Sequence, residues 1–229
     1  MMDHVRDLAS VREATERLLA AVSVLDNAAV AAPSRLPGWS RGHVLAHLAR
    51  NADALVNVLE DRPMYADAAT RDADIERDAP RSPADQLADL RNTADRFLHS
   101  AAAAPADWTR VITMRNGVTD VAARVPFRRW IEIELHHVDL GLDRELEDLS
   151  EEFTGREIDF LAERFAGNPT VRPLALSTPD GRSWRTGRTD GAPLPVTGPA
   201  PDLMGWLAGR RDGSALKSPD APLPLLPPL

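Results

Sequence analysis

The chain contains no cysteine. Disulfides, thiolate metal sites and a cysteine nucleophile are therefore excluded, and any thiol in its chemistry must arrive on a small molecule. It also lacks long apolar runs: none approaches the roughly 20 residues that a membrane span needs. The N-terminal stretch MMDHVRDLASVREATERLL carries acids and bases from its third residue and has no apolar segment of the kind a secretory signal requires. A cytoplasmic location with no membrane partner is the expectation. Positive charge is in deficit, with 27 Lys and Arg against 35 Asp and Glu and a net charge of −8. Nucleic acid and anionic membrane, whose binding draws on a basic surface, are not expected partners.

What is present is a globular composition, 229 residues with 43% apolar. That length supports one large domain or two small ones. Leu8, Val11, Leu18, Val22 and Leu25 recur at helical spacing and predict a first helix over 4–28. Ser40 is a good N-cap for a second, running to about 60. Residues 61–81 are charged and weakly periodic and read as a long connection with room for a short helix. Ser82 and Pro83 open a third helix. Residues 107–119 read as an extended or irregular crossing, and a fourth helix is predicted over 121–142, kinked or starting late at Pro126. These four helices and one crossover argue for a bundle.

The pattern changes near residue 148. A helix over 150–166, a hairpin of 172–178 with 183–187 around a turn at 179–181, a third strand at 194–198 and a short helix over 200–210 follow. The proline-rich tail cannot continue a helix. The expected fold class is α+β: a bundle over 1–148, then a smaller α/β domain over 149–229.

The six histidines are distributed unevenly. His43 and His47 lie four apart on the second helix, and His136 and His137 are adjacent on the fourth, within WIEIELHHVDL. Imidazole nitrogen and carboxylate oxygen are ligands for zinc, iron and nickel. Two ligands on one helix share a face at spacings of three or four. Glu132 with His136 satisfies one spacing and Glu134 with His137 the other, on different sides of the helix. Spacing does not choose between the pairs. On the second helix His47 is the better placed of the two to face an interior. Alone, any of these histidines reads as a hydrogen-bonded bystander. The conjunction of histidine on two helices with carboxylate on one points to a metal site.

Four segments carry a resemblance: GWSRGHVLAHLARNADAL (38–55), PMYADAATRDADI (63–75), RWIEIELHHVDLG (129–141) and WLAGR (206–210). With them the chain resembles the mycothiol-dependent maleylpyruvate isomerase family, within the DinB-like group of metal-binding four-helix bundles. The resemblance implies that His47, Glu132 and His136 bind a divalent metal, zinc by expectation. It implies that Arg71 and Arg210 serve the active site as catalytic residues, and that Glu134 and His137 are left for packing or for supporting the ligands from behind. Without it, Arg71 in TRDADIERD reads as a solvated charge and Arg210 as a cation at a helix C-terminus. Asp139 reads either as a residue that orients a metal-bound histidine or as a surface acid.

The implied cofactors are the metal and mycothiol, a sugar-linked cysteine thiol. The implied partners are these and a small-molecule substrate, on a monomer. No residue is assigned to the thiol's sugar. The implied reaction is cis–trans isomerisation of maleylpyruvate to fumarylpyruvate: thiolate addition makes the double bond single, rotation follows, and elimination restores it. Alternatives are a mycothiol S-transferase acting on an electrophile and a non-catalytic metal-binding stress-response module.

Overall fold

The computed structural model describes residues 3–103 and 107–228. The chain divides into two compact units, Met1–Arg144 and Glu145–Leu229. The first unit is helical. Its main helices are α1 (His4–Val22), α3 (Arg41–Leu59), α5 (Pro83–Ala102) and α6 (Val125–Asp139). α1 packs on α5 and α6, and α3 packs on the same two, so the four form a closed ring with α1 and α3 on one diagonal. Val11, Leu18, Leu45, Leu48, Leu55, Leu90, Phe97 and Ile133 fill the ring's interior and are almost fully buried. Burial of one such side chain contributes about 1.5–3 kcal/mol.

The first predicted helix is cut short. It ends at Val22, and a separate turn of helix, α2 (Asn27–Ala31), follows because Asp26 caps it by accepting from Ala29 N at 2.7 Å. Ser40 caps α3 as expected, in a box with His43: Ser40 Oγ accepts from His43 N at 3.3 Å, and His43 Nδ1 accepts from Ser40 N at 3.2 Å. The 61–81 connection holds an eleven-residue helix, α4 (Ala68–Asp78), capped by Asp67 and packed on α3. Its weak periodicity follows from its burial: only Ile75 and Asp78 are buried.

Gly42 allows the approach of α3 to the end of α4, since a Cβ there would lie 2.2 Å from the Ala79 carbonyl oxygen. Gln86 on α5 ties the same corner, donating to the carbonyls of Asp78 and Ala79 at 2.9 and 3.1 Å. Residues 107–119 read as an extended or irregular crossing, and the structure gives the extended form more order than that. There β1 (Val111–Thr113) and β2 (Thr119–Val121) pair antiparallel. Asn116 and Gly117 turn the hairpin with φ of 59° and 73°, the left-handed region that glycine and asparagine tolerate best. The fourth bundle helix starts late, at Val125, with Pro126 in its first turn, where no backbone donor is missed.

The second unit has α7 (Glu151–Phe165), β3 (Leu174–Ser177), β4 (Ser183–Thr186), β5 (Leu194–Thr197) and α8 (Ala200–Leu207). β3 pairs antiparallel with β4 and parallel with β5. α7 packs on α8 and on β4. α8 stops three residues before the predicted end, where Gly209 takes φ of 71°. The start of the proline-rich tail is pinned by Lys217, whose backbone exchanges hydrogen bonds with Thr197 at 2.8 and 2.9 Å. The mixed helical and sheet content matches the α+β expectation, with a helical first unit and a small sheet in the second. Among the described residues no helix is long and apolar enough to cross a membrane.

Candidate metal centre

α6 has two buried arcs, because it packs on α1 along one side and on α3 along the other. The arc toward α1 carries Glu134, 3% exposed. Its carboxylate accepts from Arg17 at 2.8 Å, from Arg144 at 2.8 Å and from Trp130 Nε1 at 3.2 Å. His137 is buried beside it, with neither ring nitrogen hydrogen-bonded among the described residues. Burial, together with the charge of Arg144, pushes His137 down to about 4, so it is neutral at pH 7. This arc is a structural anchor.

The arc toward α3 brings His47, Glu132 and His136 together. His47 Nε2 lies 3.0 Å from Glu132 Oε2, and His136 Nε2 lies 3.3 Å from the same oxygen. One donor atom from each of the three falls within 4.8 Å of the others. Tetrahedral zinc with bonds of about 2.0–2.1 Å sets its ligands roughly 3.3 Å apart. Two edges of the donor triangle are at or close to that spacing. Two imidazoles and one carboxylate also suit the chemistry of zinc and leave a position for a further ligand. On donor type and spacing, the residues fit a divalent metal.

The proton states are set by the surroundings. Burial pushes His47 down to about 4; its hydrogen bond to Glu132 opposes this, and the charges of His136 and Arg71 reinforce it. Burial would raise Glu132, but the two imidazoles outweigh it and hold the carboxyl well below its usual range. Burial would lower His136, but Asp139 and Glu132 outweigh it, and His136 is raised. Asp139 Oδ2 is 2.8 Å from His136 Nδ1, at ion-pair distance though not aligned as a hydrogen bond. The cluster thus couples a neutral His47 to an ionised Glu132.

Arg71, on α4, reaches the cluster. Its Nη2 donates to His47 Nδ1 at 3.3 Å, and its Nη1 donates to Asp72 at 2.6 Å. Arg210 stands just past α8, in the second unit, where its Nη1 donates to the Ala208 carbonyl at 2.8 Å. His43 is not part of the cluster. It serves the α3 cap and faces Glu76 at 3.4 Å.

Two residues at the site were not singled out from the sequence. Arg129 is 2% exposed and lies one helical turn before Glu132. It donates to the Leu48 carbonyl and to Asn51 Oδ1, both at 2.8 Å, stapling α6 to α3. Burial lowers it to about 10, still charged at neutral pH. Its spacing from Glu132 was the available signal. Tyr65 precedes α4, and the Arg71 guanidinium sits 6.0 Å from its ring centroid. Burial and the Glu132 charge raise the phenol, so it remains protonated. Nothing in the sequence distinguished it.

The family model for the mycothiol maleylpyruvate isomerase N-terminal domain matches residues 11–141. The model for the MDMPI C-terminal domain matches residues 148–228. Two crystal structures, one described as the mycothiol-dependent maleylpyruvate isomerase and the other as a histidine-to-alanine mutant of it, share this fold. Each has a TM-score of 0.89 at 22% identity, covering 99% of this chain and 97% of that chain. A search of curated proteins finds no match.

Proposed function

We infer the function from one premise: the chain belongs to the mycothiol maleylpyruvate isomerase family. The proposed activity is cis–trans isomerisation of maleylpyruvate to fumarylpyruvate, dependent on mycothiol and a divalent metal, zinc by preference. The observation that carries it is the meeting of His47, Glu132 and His136 from two helices at 3.0 and 3.3 Å.

These three side chains would hold the metal. Bound there, it would favour the thiolate of the visiting thiol, which supplies the nucleophile for reversible addition to the double bond. The protein's own residues prepare the site. Asp139 sets a negative charge 2.8 Å behind the His136 ring, and Arg129 places a buried positive charge one turn from Glu132, favouring its ionised form. Arg71 presents a planar fork suited to a substrate carboxylate and to the enolate charge that develops on addition. Tyr65 stays protonated and can donate a hydrogen bond. Arg210 enters on the resemblance alone, as a second carboxylate partner.

The test is an assay of protein purified without a histidine tag, given maleylpyruvate and mycothiol. The expected result is isomerisation without net thiol loss, abolished by a chelator and restored by zinc. Full turnover after the metal has been stripped would overturn the metal centre. Stoichiometric thiol consumption in place of isomerisation would favour a conjugating transferase.

A further inference from the structure

A cavity of about 520 Å³ opens between the end of α3, the turn before α4 and the β1–β2 hairpin, with Tyr65 in its lining. We propose that it binds the polyhydroxylated, uncharged sugar portion of the thiol co-reactant, holding it with the sulfur directed past Tyr65 toward the metal residues. This rests on the thiol-dependent reading above, and it names a part of the site that the resemblance leaves unassigned.

Position is the first argument. Tyr65 lines the cavity, Arg71 lies 6.0 Å from the Tyr65 ring centroid, and the same Arg71 contacts His47 at 3.3 Å. A ligand seated in the cavity is therefore two side chains from the donor cluster. The volume falls in the range typical of small-molecule sites.

Charge is the second. Asp61 and Asp67 face Arg62, Arg110 and Arg115 around the cavity, close to balance. Most of these charges are already engaged. Arg110 pairs with Asp61 and donates to the carbonyls of Val58 and Leu59 at 3.2 and 2.7 Å. Arg62 pairs with Glu60, and Asp67 caps α4. A small dianion would find one uncommitted cation, the Arg115 guanidinium, which makes no ion pair or hydrogen bond among the described residues; the backbone carbonyl of Arg115 accepts from Val118 N at 3.3 Å. A polyol finds both donors and acceptors among the lining side chains, Thr113 and Asn116 included, which suit hydroxyl groups that both give and accept hydrogen bonds.

Surface is the third. Val58, Ile112 and Met114 form a buried apolar floor, and Tyr65 adds an aromatic face. A sugar ring presents C–H faces to such a floor and hydroxyls to a polar rim. Arg115 sits at the hairpin tip beside Asn116, where the left-handed turn holds it at the rim.

The experiment uses the full chain loaded with zinc and two variants, Arg115→Ala and Ala68→Phe, the second adding bulk to the cavity wall. KM is measured for mycothiol, for N-acetylcysteine as a thiol without sugar, and for maleylpyruvate. Mycothiol binding to the metal-free protein is followed by calorimetry. The ratio of the mycothiol KM to the N-acetylcysteine KM is expected to rise about tenfold in each variant, with a matching loss of calorimetric affinity. An unchanged ratio with unchanged affinity overturns the assignment. So does a rise confined to the maleylpyruvate KM, which would place the substrate in the cavity. If the wild type binds mycothiol without isomerising maleylpyruvate and the variants lose that binding, the cavity stands and the isomerase reading falls. If the wild type binds no mycothiol, both fall.

Discussion

Arg71 Nη2 donates to His47 Nδ1 at 3.3 Å while the other nitrogen of the same ring faces Glu132 at 3.0 Å. An arginine can only donate, so Nδ1 accepts and the proton of the neutral ring lies on Nε2. That is the nitrogen pointed at the cluster. A cation at Nε2 displaces the proton, and its natural resting place, Nδ1, is opposed by the guanidinium. Metal loading and the Arg71–His47 contact therefore compete.

Removing the guanidinium should tighten metal retention. Arg71→Leu is expected to lower the zinc Kd roughly three- to tenfold, equivalent to about 1 kcal/mol, and to raise the KM for maleylpyruvate. Competition against a chromophoric chelator measures the first effect. Weaker retention in the variant would contradict the competition.

The two adjacent histidines should separate cleanly. His136→Ala is expected to bring metal content close to zero, while His137→Ala retains a full equivalent. Elemental analysis of both proteins, prepared side by side, decides it. Equal content would return the choice between the two arcs of α6 to where spacing alone left it.

Glu134 should behave as an anchor. Glu134→Ala leaves Arg17 and Arg144 without their shared partner and is expected to cost roughly 2–4 kcal/mol, in the range for breaking a buried ion pair, discounted because Arg17 is partly exposed. Chemical denaturation reads the loss, with metal content unchanged. A variant as stable as the parent would argue that the three-way contact adds nothing to folding.

Asp78 gives the fold an acid limb. Burial would raise its carboxyl, but the hydrogen bond from Arg77 and the charges of Arg81 and Arg50 outweigh it and hold the pKa below the usual aspartate value. A folded pKa below the unfolded one, about 3.9, means the unfolded chain binds protons first as pH falls. The contribution is present above pH 3.9 and is lost on descent through the folded pKa. Asp78→Asn should cost roughly 2–3 kcal/mol at neutral pH, and the gap between wild type and variant should close on acidification below pH 4. A gap that stays constant would show that the ionised carboxylate is not its source.

The bundle was readable because its helices carry apolar stripes and explicit caps: Ser40 and Ser82 stand at the N-caps of α3 and α5. The convergence of His47, Glu132 and His136 was visible as spacing, but spacing could not prefer that trio to Glu134 and His137. The reason is physical. α6 is walled on both arcs, so a polar residue on either could be buried, and the partners that settle Glu134 are distant in sequence: Arg17 is 117 residues away. β1 and β2 have three residues each, too few to show alternation. Tyr65 lies in a turn without periodicity, and only the packing of α4 on α3 brings it to the site. The first helix was overextended because Leu25 keeps the helical spacing, while Asp26 beside it prefers to cap the next turn.

Because one helix serves as anchor on one side and donor wall on the other, its residue count between positions 132 and 136 is fixed. Inserting a single residue there would rotate the downstream histidines by about 100°, swinging His136 away from α3 while Glu132 stayed behind. A change of length between Glu132 and Glu134 would forfeit both the anchor and the donors in one event.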